Sequence, residues 1–336
     1  MKEKKNYLDY LRIIAIFMVF HFHFVIILGQ QEGFLFGFVN GDWGCVGTTL
    51  FFLISGNCLA RNYGEKLQIG RFYKKRWLAI FPAFYICYLL VLIGHTVILQ
   101  NHVLAGVEPW RIIFTLLGID NYLNFLGIRN AALVGEWYTA IILGIYVVFP
   151  VLQFLYRKSK LIGTVLVFGL YTMNLIFAWG SVPDDAHLIT GICMFWVGMI
   201  LHHFEHYLEK LPLYLWIGVL LCGAVLYGIE APGPQLLLKN LMGICIFVLF
   251  MRRGVLMKKK NPVVRFLSSI EYGIYLCHHS VMYVLQAFYL RFFTELDEIP
   301  YYILCLVATI LFATLITYVT RWILKKFAER KVLTAS

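Results

Sequence analysis

Residues 1–28, MKEKKNYLDYLRIIAIFMVFHFHFVIIL, decide how the whole chain is read. Three lysines in the first five residues precede a run from Leu11 to Leu28 that is apolar except for Arg12, His21 and His23. A helix needs about 20 mostly apolar residues to cross the hydrocarbon core of a bilayer. The run is too long for the core of a cleavable signal and has no small-residue cleavage site, so it reads as a retained first spanning helix. The lysines ahead of it put the N-terminus in the cytoplasm.

The rest of the chain repeats this pattern. Of its 336 residues 61% are hydrophobic and 14% charged, whereas soluble domains are about half apolar and a quarter charged. That much apolar surface exceeds what one packed core hides, and lipid hides the rest. Ten spans follow, at 9–29, 45–60, 76–100, 132–156, 161–179, 186–204, 212–229, 235–251, 265–291 and 301–327. The second is short. The stretch from Pro109 to Gly127, interrupted by Gly118, Asp120 and Asn121, reads as a surface or re-entrant element. The fold class is therefore all-α: a polytopic membrane bundle of about ten helices, N-in and C-in, forming a single membrane-embedded domain over residues 1–336.

The count of ten has independent support. With alternating loops, 24 of the 29 lysines and arginines fall inside, and only Arg111, Arg129, Lys239 and Arg291 fall outside. One miscounted helix in the middle would destroy that split. The net charge of +11 thus serves topology and anionic lipid heads rather than nucleic acid. The external stretches SVPDDA, IEAPGPQ and TELDEIP are acidic and carry turn residues. The longer external segments, 30–44 and 101–131, carry Trp43 and Trp110 with several other aromatics, suited either to the membrane interface or to stacking on a sugar ring. The eight cysteines form no CxxC pair and read as small buried hydrophobes.

Ionisable groups inside a membrane are costly and usually face the bundle interior. Arg12 and His23 are eleven residues apart, close to three whole turns, so they project from one face of the first helix about 16 Å apart along its axis. His21 falls on the opposite face. Asp9, three residues before Arg12, is placed to orient its guanidinium. An arginine near the cytoplasmic entrance suits a phosphate-bearing ligand, and a deep histidine suits proton transfer. The competing reading makes Arg12 a snorkelling side chain and His23 a packing residue.

Five segments, taken in order, resemble the membrane acyltransferase 3 family. They are LDYLR with the HFHF that follows, GTTLFFLISG (47–56), RFYKKRWLAIFPAFY (71–85), EWYTAIILGIYVVFP (136–150) and SSIEYGIYLCHHSV (268–281). The resemblance implies a ten-helix bundle that moves an acyl group, often acetyl, from cytoplasmic acyl-CoA to a hydroxyl of a surface glycan or its lipid-linked precursor. It implies that Arg12 and His23 are the family's essential pair and that Arg76 is the first Arg of its RxxR motif. The second Arg of that motif is Ala79 here, with Arg71, Lys74 and Lys75 nearby as substitutes in holding the donor's phosphates. The family's Ser before the ninth-helix Tyr is Glu271 here. On this reading His23 is the general base, Arg12 and Arg76 engage the donor, and no cofactor is bound permanently. The expected setting is a bacterial plasma membrane.

Supporting positions carry blander alternatives. His278 matches the family's His but reads first as a hydrogen-bonding residue, with Tyr272 and Tyr275 on the turns before it. Glu136 and Trp137 open the fourth span, where Glu136 either orients the acceptor or faces water. Ser55 beside Gly56 suits a nucleophile, although close helix packing explains the pair more simply; Gly273 also reads as a packing residue. HHFEH (202–206) has the spacing of some zinc proteases, but lies at a cytoplasmic helix end without a third ligand. Two other classes remain. A transporter of polar or lipid-linked solutes would show matched helix breaks in two halves, and only 118–121 qualifies. A sensor without catalysis would be expected to carry a soluble domain, and none is attached.

Overall fold

The computed structural model describes residues 6–29, 43–100, 104–177, 179, 182–230, 235–253, 261–290 and 297–333. Among these residues the chain is helical and has no strand. Its helices are α1 (Tyr7–Leu28), α2 (Trp43–Tyr63), α3 (Ile69–Val97), α4 (Ile112–Leu116), α5 (Asp120–Leu123), α6 (Glu136–Lys158), α7 (Lys160–Phe177), α8 (Leu188–Leu208), α9 (Leu213–Gly228), α10 (Gln235–Arg253), α11 (Pro262–Tyr289) and α12 (Glu298–Leu333). Each of the ten expected spans corresponds to one long helix. Eight of them are long and apolar enough to cross a membrane alone. The other two are α9, which has 16 residues, and α11, which carries Arg265, Glu271 and two histidines along its length.

Local chemistry sets several boundaries. α11 is capped by Asn261, whose Oδ1 accepts from the backbone N–H of Val263 at 2.9 Å, with Pro262 at the first helical position. At α8 the ring Nδ1 of His187 accepts from Ile189 N–H at 3.2 Å. α1 ends at Gly29, whose φ of 63° is the left-handed conformation glycine adopts without strain.

Two expected boundaries are corrected. The second span is not short: α2 has 21 residues, because Arg61 stays in the helix with its charge neutralised by Glu205 at 2.8 Å. α3 begins at Ile69 rather than 76, because the basic run Arg71–Arg76 is itself helical. The 109–127 segment forms short helical turns rather than a span.

The chain divides into two compact units, Met1–Phe72 with Trp137–Ser268, and Tyr73–Glu136 with Ser269–Ser336. In the first, α2 is central, packing against α1, α8 and α10, and 78% of its apolar window is buried. Glycines make this possible. A Cβ on Gly56 would collide with the Phe195 carbonyl oxygen, and one on Gly198 with that of Leu53. The two glycines let the α2 and α8 backbones touch, the usual way membrane helices gain packing without a hydrophobic drive. Gly47 similarly meets α1 at Ala15, and Gly243 of α10 meets Thr49. The core beside them joins Tyr7, Leu11, Leu50, Leu53, Phe247 and Met251. In the second unit Gly273 of α11 lies against Ala313 of α12. The eight cysteines form no disulfide among the described residues.

Candidate active site

α1 carries the charged part of the site. Asp9 is 3% exposed and sits in the first helical turn, where the partial positive charge of the helix end favours a carboxylate. Its Oδ1 accepts from Arg12 Nη1 at 2.9 Å and from Ser268 Oγ at 3.0 Å. Arg12 Nη2 lies 3.6 Å from Cys58 Sγ of α2. The guanidinium is thus fixed by a carboxylate one turn away, and its side chain remains 24% exposed. A guanidinium so held keeps a fixed direction in which it can meet an anionic ligand.

His23 lies three turns further along α1, half-buried, with the Phe22 ring edge-on at 5.1 Å. Among the α1 residues that meet α2, Ala15, Met18, Val19 and Phe22 lie against Gly44 and Gly47. His21 is also half-buried. Ser55, on α2, has its Oγ 3.3 Å from the Tyr146 hydroxyl. Next to it, Gly56 makes the backbone contact with α8 described above. Trp137 is half-buried at the start of α6, and the Glu136 side chain lies outside the described part of the structure. Arg71, in the first unit, is exposed.

The second unit holds the other candidates. Arg76 is half-buried, and Lys74 and Lys75 are exposed. On α11 the rings of Tyr272, Tyr275, His278 and His279 succeed one another with centroids 6.3, 6.2 and 5.8 Å apart. Tyr275 donates its hydroxyl proton to the Gly135 carbonyl, and Tyr272 donates to that of Ile80 at 3.4 Å. His278 is fully buried, with Nδ1 at 3.1 Å from the Ile274 carbonyl and 2.9 Å from that of Tyr275. Carbonyls only accept, so Nδ1 carries the proton. Through Nδ1, His278 bonds its own helix.

One cluster escaped the sequence reading. Glu205 of α8 receives Arg61 Nη2 of α2 at 2.8 Å and the Tyr7 hydroxyl of α1 at 3.5 Å, with His202 Nδ1 at 3.6 Å. The glutamate of HHFEH thus ties three helices together, and no group of three metal-ligating side chains gathers among the described residues. No local pattern could reveal this, since Arg61 and Glu205 are 144 positions apart. The segment before α6 is likewise knitted by side chains. Arg111 and Arg129 donate to the carbonyls of Arg129 and Ala105 at 2.8 and 2.6 Å. Asn121, Asn124 and Asn130 form a chain of amide hydrogen bonds. Asp120 is buried within this segment. Burial raises its pKa above the usual carboxylate value, and the Asn121 N–H on its Oδ1 at 2.9 Å opposes the rise.

A family model described as an acyltransferase domain matches residues 5–318, which includes α1, α11 and most of α12. The chain belongs to the acyltransferase domain family. It is also similar to Nodulation protein 10 of Rhizobium leguminosarum bv. viciae, 25% identical over 286 residues that cover 74% of this chain and 76% of the relative. No solved structure matches it. The protein is thus a multi-pass membrane acyltransferase. The five resembling segments of the sequence all lie within the matched residues.

Proposed function

We propose that this acyltransferase moves an acyl group, most simply acetyl, from cytoplasmic acyl-CoA to a hydroxyl of a cell-surface or lipid-linked glycan, in a bacterial plasma membrane. The observation that carries the reading is the fixed guanidinium of Arg12, held by buried Asp9 at 2.9 Å, on the same helix stripe as His23. Arg12, with Arg76 and the neighbouring Arg71 and Lys75, engages the donor's phosphates, and the pantetheine arm carries the thioester toward His23.

The chemistry follows from residue types. An imidazole nitrogen of His23 takes the acceptor's hydroxyl proton as that oxygen bonds the thioester carbonyl carbon. Collapse of the tetrahedral intermediate breaks the carbon–sulfur bond, and the imidazolium returns the proton to the departing thiolate. Ester and free CoA result, and His23 is restored without a bound cofactor. Ser55 is not required as a nucleophile in this scheme.

The test is acyl-CoA turnover by purified protein in detergent. His23→Ala should abolish CoA release while insertion and thermal unfolding stay near wild type. Arg12→Ala should raise KM for the donor more than it lowers kcat. Undiminished turnover in His23→Ala would overturn the assignment. Absence of any CoA release from the wild type, with solute flux in proteoliposomes, would favour a transporter instead.

A further inference from the structure

A polar cavity lies within the first unit, with neither Arg12 nor His23 in its wall. It has a volume of 490 Å³ and lies where α2, α6, α7 and α8 end or begin. Its wall includes Glu65, Tyr156, Arg157, Lys160, His202 and His203. α6 ends at Lys158 and α7 starts at Lys160, so Arg157 and Lys160 flank a junction of one residue. This tight corner brings their charges to one concave surface. Lys160 Nζ is held 4.8 Å above the Tyr156 ring, and His203 meets the same ring edge-on at 6.4 Å.

The nearby charges are unequally compensated. Glu205 is engaged by Arg61 at 2.8 Å, with His202 at 3.6 Å. Arg157 and Lys160 have no carboxylate within ion-pair distance among the described residues, and Glu65 on the cavity wall pairs with neither. A concave wall of low dielectric that gathers uncompensated cations concentrates anions. Basic pockets between membrane helices at their charged ends are suited to phosphate head groups.

We propose that this cavity binds a phosphate-bearing anion, with Arg157 and Lys160 supplying the charge and His203 a hydrogen bond. Two sources present that chemistry, the head group of an anionic phospholipid and a soluble phosphate compound. The proposal stands independently of acyl transfer, since it uses none of the residues assigned to that reaction.

The experiment uses the full chain in a nonionic detergent. Native mass spectrometry would measure adducts with phosphatidylglycerol against phosphatidylcholine, and titration would measure ADP against adenosine. The wild type should prefer at least one anionic probe. The lipid arm responding assigns a head group, and the soluble arm responding assigns a free phosphate compound. Arg157→Ala with Lys160→Ala should weaken binding about tenfold or more, a loss of roughly 1.4 kcal/mol. Arg157→Lys with Lys160→Arg keeps both charges and should stay within about threefold of wild type, showing that charge rather than folding is at issue. As a control, Lys325→Ala with Lys326→Ala removes two cations from the end of α12 and should change nothing. No preference for either anionic probe, or an equal loss in the control, would overturn the proposal.

Discussion

The polar groups of α1 and those of α11 solve one problem in different ways. On α1 the charged Arg12 is answered by an opposite charge, that of Asp9, with Ser268 of α11 completing the carboxylate's bonds. On α11, which also carries Arg265 and Glu271, two neutral groups are answered by backbone: Tyr275 by the Gly135 carbonyl, His278 by the carbonyls of its own helix. A buried charge needs a counter-charge, because no single dipole offsets its desolvation. A neutral hydroxyl or imidazole needs only an acceptor. The charged pair fixes a guanidinium, and the neutral bonds fix the Tyr275 and His278 rings.

This contrast can be broken by substitution, and the expected effects descend in size. Asp9→Ala leaves the Arg12 charge without its carboxylate and should cost about 3 kcal/mol, read by denaturant unfolding in detergent. A loss under about 1 kcal/mol would mean that Arg12 reaches water on its own and that the pair is not structural. Adding Arg12→Met to Asp9→Ala should recover much of that loss, since it removes the stranded charge. Tyr275→Phe removes one neutral hydrogen bond and should cost about 1 kcal/mol, leaving donor KM unchanged. A change in donor KM there would give α11 a share in binding and blur the distinction.

Asp120 gives the smallest effect, and one of opposite sign. Burial raises its folded pKa above the unfolded value, so between the two values the folded state binds more protons than the unfolded state. Stability therefore falls as pH climbs from the unfolded pKa through the folded one, and the loss persists at neutral pH. Asp120→Asn should flatten this slope and leave the protein as stable as wild type or slightly more so near neutral pH. A variant that keeps the full slope would assign it to another group.

A related contrast concerns burial in the helices themselves. α2 is 78% buried and rich in Gly, Ser, Thr and Asn, whereas the window of α12, made of Leu, Ile, Val and aromatics, is 22% buried. In water the most apolar helix would be the most central. In lipid the order inverts, because the solvent is itself hydrocarbon and centrality goes to helices that let backbones approach. This is why the apolar stretch of α2 reads shorter than the helix itself. Gly44 to Thr49 near one end and Asn57 near the other are buried, so these small and polar residues belong to the interior of the unit.

Much of the rest was legible. Hydropathy located ten helices to within a few residues, apart from the early start of α3, and the eleven-residue spacing put Arg12 and His23 on one stripe. The Asp9–Arg12 pair lies three residues apart on one helix, and local spacing was enough to expect it. The Arg61–Glu205–Tyr7 cluster was not legible, since its members come from three helices and nothing in the chain between them sets their distance. For the same reason Arg111 and Arg129 read as external charges, although they hold a loop together through backbone carbonyls.

The sequence alone determined that this chain spans a membrane, where its ten long helices lie to within a few residues at most of their ends, and which face of α1 carries the guanidinium and the imidazole. These depend on composition and on the helical repeat, both properties of neighbouring residues. Only the tertiary structure decided that α2 is the hub of the first unit, that Glu205 joins Arg61 to Tyr7, and that Arg157 and Lys160 share a cavity with two histidines. Those outcomes depend on which surfaces meet across long stretches of chain, and periodicity within one helix carries no information about its partners.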